Sequence, residues 1–91
     1  MTNEGAIREL WLGEVVDSKK PALRRMLIKA LGIREQAVNK RVIGVNRTND
    51  AEIITIVKIF ENYGVLITPK IKQYINEKKA NYGISECEEL E

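Results

Sequence analysis

Residues 31–40 have the sequence Leu31-Gly32-Ile33-Arg34-Glu35-Gln36-Ala37-Val38-Asn39-Lys40, in which an apolar run ends at a glycine and a short polar run follows. A glycine in this place suits a left-handed residue that ends one helix and turns the chain toward the next. Two helices joined by about three residues that include a glycine form a helix-turn-helix motif. The stretch therefore predicts this motif over about residues 21–44.

The two helices of the predicted motif have recognisable ends. Pro21 suits the first turn of the earlier helix, which we expect to end near Leu31. The later helix is predicted from about Arg34 to Ile43, with Gly44 closing it. Apolar residues on either side of the turn should form a small shared core, namely Leu27, Leu31, Ile33 and Val38.

Three further helices are predicted around the motif. The first runs from Asn3 to Val16, with Thr2 or Asn3 as its cap. Asn49 and Glu52 form a capping-box pair at the start of the fourth helix, which ends at Tyr63-Gly64. The fifth helix starts at Thr68-Pro69. We therefore expect one all-α domain over residues 1–83, a compact five-helix bundle, followed by an acidic, disordered tail over residues 84–91.

The composition argues against several classes of function. The chain has 91 residues, no histidine and one cysteine, so His-based catalysis, His metal sites and internal disulfides are excluded. No phosphate-binding glycine motif is present. We expect no enzymatic activity, no cofactor, no metal and no small-molecule ligand. No apolar run approaches 18 residues and the N-terminus lacks a basic leader, so we expect a cytoplasmic protein without a membrane partner.

Charge is unevenly distributed along the chain. Residues 18–47 carry nine Lys or Arg and only Glu35 as an acid, a net charge of +8, although the whole chain is only +2. Residues 1–17 are net −3 and residues 84–91 are net −4. A basic block of this kind indicates a surface for a polyanion such as nucleic acid. The alternative is an ordinary solvated surface rich in lysine and arginine.

The helix after Gly32 has a polar face with DNA-reading side chains. Each residue of a helix is rotated by about 100° from the one before it, so one half of this helix contains Glu35, Gln36, Asn39, Lys40 and Ile43. Gln and Asn recognise adenine, Lys recognises guanine and Glu accepts from cytosine, and the major groove of B-DNA admits one α-helix. The alternative for each residue is a solvated side chain, or for Glu35 an acid favoured by the helix dipole.

The tract 31–40 resembles the helix-turn-helix of the phage lambda Cro and repressor family, especially in the run Ala37-Val38-Asn39-Lys40. The similarity extends over about residues 20–65, through Gly44 and the amphipathic helix that ends at Tyr63-Gly64. The resemblance implies a lambda repressor-like fold. It also implies a sequence-specific duplex DNA-binding protein, a small transcriptional regulator of phage or prophage type.

Site residues follow from the resemblance by position. It implies base contacts from Glu35, Gln36, Asn39 and Lys40. It implies phosphate contacts from the basic residues around them, namely Lys19, Lys20, Arg24, Arg25, Arg34, Arg41 and Arg47. Two positions depart from the family: Ile28 stands where a small residue is usual, and Arg41 stands where an apolar residue is common. We expect the charged end of Arg41 to extend outward.

A homodimer is expected, because one short helix contacts few base pairs and proteins of this kind bind two half-sites about one helical turn apart. The predicted interface is the stripe Ile71, Tyr74 and Ile75 on the fifth helix, and the alternative is that this stripe closes the core of the single chain. The alternative function is a small protein-interaction module, an adaptor or inhibitor on a helix-turn-helix scaffold. An architectural role in recombination would be a variant of DNA binding.

Overall fold

The computed structural model describes residues 1–81, which form five α-helices, one 3₁₀ turn and no β-strand within that range. The helices are α1 (Asn3–Gly13), α2 (Lys20–Leu31), α3 (Glu35–Val42), α4 (Asp50–Asn62) and α5 (Pro69–Asn81), and the 3₁₀ turn is Asp17–Lys19. The predicted all-α class is confirmed. The predicted disorder of residues 84–91 lies outside the described residues.

Two of the three predicted side-chain caps, those of α1 and α4, are formed. The Thr2 hydroxyl accepts a hydrogen bond from the Gly5 N–H at 2.9 Å. Asn49 and Glu52 form the reciprocal capping box at the start of α4, at 2.8 and 3.2 Å. At α5 the Thr68 hydroxyl is buried without a hydrogen-bond partner among residues 1–81, so the predicted side-chain cap is not formed. The backbone carbonyl of Thr68 accepts from the Lys72 N–H instead.

The first helix is shorter than the sequence pattern predicted. It ends at Gly13 rather than Val16, and the N–H groups of Glu14 and Val15 both donate to the Leu10 carbonyl. Glycine is a poor helix residue, which favours the end at this point. Val15 is nevertheless 5% exposed, because the chain beyond the helix folds back onto the core. The apolar spacing therefore identified a core residue correctly but overestimated the helix length.

All five helices contribute to one core. Its fully buried large side chains include Ile7 and Leu10 of α1, Leu23 and Leu27 of α2, Val38 and Val42 of α3, Ile53, Ile56 and Phe60 of α4, and Ile71 of α5. The Trp11 and Phe60 rings also pack together, with their centroids 6.1 Å apart. Burial of an apolar side chain of this size contributes about 1.5–3 kcal/mol relative to exposure.

The stripe on α5 belongs to this core, which corrects its prediction as a dimer interface. Ile71 is 0% exposed and Ile75 is 4% exposed within the single chain. Tyr74 is partly buried, and its hydroxyl donates a hydrogen bond to the side-chain oxygen of Asn3. The two isoleucines are therefore unavailable to a second copy of the chain.

The connection between α2 and α3 has the predicted glycine geometry. Gly32 is left-handed, with φ 65° and ψ 32°, and its N–H donates to the Ile28 carbonyl at 2.9 Å. Three residues, 32–34, separate the two helices. Leu31 and Ile33 are partly buried against the core on either side of the turn, and so is Ile28. The bulk of Ile28 is thus accommodated by packing against the core.

Candidate nucleic-acid interface

Helix α3 has one anchored side and one exposed side. Val38 and Val42 are each 1% exposed and fix the helix to the core, where it packs against α1 and α2. Gln36, Lys40 and Ile43 are exposed. With 3.6 residues per turn these three positions fall within an arc of about 60°. The exposed stripe is therefore held in a defined orientation by the apolar residues on the opposite side.

The four predicted base-reading residues differ in accessibility. Glu35, Gln36 and Lys40 are exposed, and no hydrogen bond or ion pair within residues 1–81 engages the side chain of Gln36 or Lys40. Asn39 is partly buried, and its side-chain oxygen is buried without a hydrogen-bond partner among the same residues. Asn39 thus lies beside the exposed stripe, which contains Gln36 and Lys40.

Some of the predicted phosphate-binding cations are used within the chain. The Lys19 ammonium donates to the Tyr63 carbonyl at 2.9 Å. Arg41 was predicted to extend outward and contact a phosphate. Its guanidinium instead pairs with the Glu52 carboxylate at 3.3 Å, and its side chain is only 17% exposed. The Glu52 side chain is 25% exposed, so both members of this ion pair are partly buried.

Trp11 holds the start of α2 against α1. The Lys20 ammonium lies 5.4 Å and the Arg24 guanidinium 5.2 Å from the centroid of the Trp11 ring, within the range of cation–π attraction. Lys20 also pairs with the exposed Asp17 at 2.9 Å, and its own side chain is 19% exposed. Lys20 and Arg24 therefore have a packing role in addition to any contact with an outside partner.

Five cations of the basic block remain exposed without a partner in the described part of the chain: Arg25, Lys29, Arg34, Lys40 and Arg47. Lys29 was not among the predicted contacts. Its signal in the sequence is the four-residue spacing from Arg25, which places both on the solvent face of α2. Arg34 immediately precedes α3, and Lys40 lies about 9 Å further along the helix axis. Arg34 thus precedes the polar stripe, and Lys40 belongs to it.

The loop that carries Arg47 is fixed at both ends. Gly44 is left-handed, with φ 82°, and its N–H donates to the Arg41 carbonyl at 3.1 Å. Thr48 is 4% exposed, its N–H donates to the Glu4 carboxylate at 2.8 Å, and its carbonyl accepts from the Asn3 amide at 2.9 Å. Arg47 is therefore an exposed cation between two anchored residues.

Asn3 and Asp50 connect this loop to the helices. The same Asn3 amide donates to the Asp50 carboxylate at 2.9 Å, and Lys78 of α5 lies 3.4 Å from that carboxylate. The hydrogen bond from Asn3 lowers the pKa of Asp50 below its ordinary value. The nearby Lys78 adds to this effect, and partial burial opposes it.

Metal-binding and membrane-spanning features were sought over the same residues. Within residues 1–81 no group of three or more Cys, Asp or Glu side chains could hold a metal ion. None of the five helices is long and apolar enough to cross a membrane. Comparison of the chain with protein-family models, with curated proteins and with solved structures found no match.

Proposed function

We propose that this protein binds duplex DNA sequence-specifically, with α3 in the major groove. The observation that carries the proposal is the exposed pair Gln36 and Lys40, unpartnered within residues 1–81, on a helix anchored by Val38 and Val42. The major groove is wide enough for one helix, and these side chains are of the types that recognise base edges. The resemblance of residues 20–65 to the Cro and repressor family supports the same function.

Each residue of the surface has a role in this proposal. The Gln36 amide can form two hydrogen bonds with adenine, Lys40 can donate to guanine, and Glu35 can accept from cytosine. Asn39 contributes from beside the stripe. Arg25, Lys29, Arg34 and Arg47 contact phosphates, which supply affinity and register without specifying sequence. Such a protein regulates transcription by blocking or recruiting polymerase at its site, as a phage or prophage regulator would.

A homodimer remains part of the proposal. Two copies would place two α3 helices in successive major grooves and double the number of bases that are contacted. Their interface lies outside Ile71 and Ile75, which are buried in the core of each chain. Sedimentation of the complex with a selected duplex should show two chains per duplex.

The experiment is selection of a preferred duplex from a random pool, followed by competition between that duplex and a scrambled one. Wild-type protein should prefer the selected duplex, and Gln36→Ala should lose about 1–3 kcal/mol of discrimination at one base pair. The matched control is Gln73→Ala, which removes an exposed glutamine from α5. This control should leave the preference unchanged.

Two results would contradict the proposed base contact. One is a folded Gln36→Ala variant with unchanged sequence preference. The other is an equal loss of preference in the Gln73→Ala variant. Circular dichroism of each variant separates a lost contact from a lost fold.

A protein-interaction module is the second candidate. Ile43 is 47% exposed and Val45 is 66% exposed, and these apolar side chains at the end of α3 would suit a protein partner. This candidate predicts no binding of a random duplex even at low salt, whereas the DNA-binding proposal predicts binding that weakens as salt is added.

A further inference from the structure

A groove of about 860 Å³ lies between α4 and α5, with Ala30 of α2 also in its lining. Its floor includes the buried side chains of Val57, Ile67 and Ile75. Its lining also contains three lysines, Lys58 and Lys72 and Lys79, and a single acid, Glu61. The groove therefore combines an apolar floor with a net positive rim.

The single acid Glu61 does not neutralise the positive charge of the lysines around the groove. The Lys72 ammonium lies 3.9 Å from the Glu61 carboxylate, and both side chains are more than half exposed, at 60% and 55%. An exposed ion pair of this length contributes little and exchanges readily for another carboxylate. The chemistry that fits the groove is a short peptide with apolar side chains and several carboxylates.

The chain itself carries such a segment directly after α5. Residues 82–91 contain Ile84 and Leu90 together with four glutamates, Glu86, Glu88, Glu89 and Glu91. Helix α5 forms one wall of the groove and ends at Asn81, and the contact between Lys78 and Asp50 shows that this end lies beside the start of α4. The segment therefore starts at one end of the groove.

The segment is long enough to follow the groove. From Lys79 back to Lys72 the helix axis covers about 10 Å, at 1.5 Å per residue. Ten extended residues span up to about 33 Å. After a reversal near Gly83 the segment can thus run along the whole groove toward Lys72.

We propose that the groove between α4 and α5 binds the acidic C-terminal segment of the same chain. Ile84 and Leu90 contact the apolar floor, and the glutamates face the lysines of the rim. The inference stands on the groove and the charges, and it does not depend on DNA binding.

Cys87 makes the test simple, because it is the only cysteine of the chain and lies within the segment. A nitroxide spin label on Cys87 of the full chain weakens the amide NMR signals of residues near it. We expect the signals of Lys58 and Ile59, on the far wall of the groove, to lose more than half of their intensity. Asn3 provides the reference, because it contacts α5 through Tyr74 outside the groove lining, and its signal should be retained.

Charge reversal supplies the matched variants. The double variant Lys58→Glu, Lys72→Glu should restore the weakened signals. Lys70→Glu should not restore them, because Lys70 is an exposed lysine of α5 that does not line the groove. Equal weakening at Asn3 and Lys58, or no recovery in the double variant, would overturn the proposal.

A mixed sample distinguishes the segment's own groove from that of a second copy. It combines isotope-labelled chain without the nitroxide and unlabelled chain that carries it. The proposal predicts no weakening of groove signals in this mixture. Weakening that appears there at the same strength would show that the segment binds another molecule, and would overturn the proposal.

Discussion

At the scale of single residues, helix α3 lies between two glycines, Gly32 before it and Gly44 after it. Both have positive φ, at 65° and 82°, which an L side chain adopts at a cost of about 1–2 kcal/mol. Their surroundings differ. A Cβ at Gly32 would meet no other atom within 4 Å, whereas a Cβ at Gly44 would lie 3.4 Å from the Arg8 side chain and 3.5 Å from the Glu4 carbonyl.

Neither added methyl group should force a neighbour to move, because contacts of 3.4 Å and longer are ordinary van der Waals distances. Gly32→Ala and Gly44→Ala should therefore each lower the free energy of unfolding by about 1 kcal/mol from backbone strain alone. Urea denaturation of the two variants at equal pH and temperature measures both losses. A much larger loss for Gly44→Ala would contradict the packing described around Gly44.

The exposure of single residues along α3 was predictable from the sequence, whereas their contacts with other helices were not. Helical periodicity correctly predicted that Val38 is buried and that Gln36 and Lys40 are exposed, because burial along a helix follows from spacing alone. It could not predict that Arg41 pairs with Glu52, eleven residues later in the chain. That pairing depends on how α3 lies against α4, which spacing within one helix does not specify.

At the scale of elements, the start of α4 is tied to α1 and α5 by Asp50. The pKa of Asp50 is lower in the folded protein than its ordinary value of 3.8, chiefly through the hydrogen bond from Asn3. A lowered pKa in the folded state means that the carboxylate stabilises the fold above the unfolded pKa. This contribution is lost as the pH falls through the folded pKa.

Asp50→Asn should therefore be less stable than wild type at pH 7, and the difference should shrink as the pH falls below 3.8. Thermal denaturation between pH 7 and pH 3 follows this change. Asp17→Asn is the control, because the Asp17 side chain is 95% exposed. A constant difference between wild type and Asp50→Asn at every pH would contradict the proposed role of the charge.

The elements themselves were largely predictable. The capping box at Asn49 and the glycine at position 32 are local signals, and both helix boundaries lie where these signals placed them. The end of α1 was not predictable from apolar spacing, since Val15 is buried without being helical. The α5 stripe was ambiguous, because an apolar stripe looks the same whether a core or a second chain covers it.

At the scale of the whole molecule, the fold divides the basic block into two groups. Lys19, Lys20, Arg24 and Arg41 have contacts within the chain, and the other five cations are exposed without a partner in residues 1–81. The net charge of +8 for residues 18–47 therefore overstates the charge available to a polyanion. The sequence predicted the basic surface, but only the packed structure separates its two groups.

The salt dependence of binding to a random duplex tests DNA binding most directly. Fluorescence anisotropy of a labelled duplex gives the association constant between ~50 and ~200 mM salt. If the four exposed cations assigned to phosphates each contact one phosphate, the logarithm of this constant should fall with a slope of about −3.6 against log salt, a loss of about 150-fold over the range. Undetectable binding at ~50 mM salt, or a slope near zero, would contradict the DNA-binding proposal.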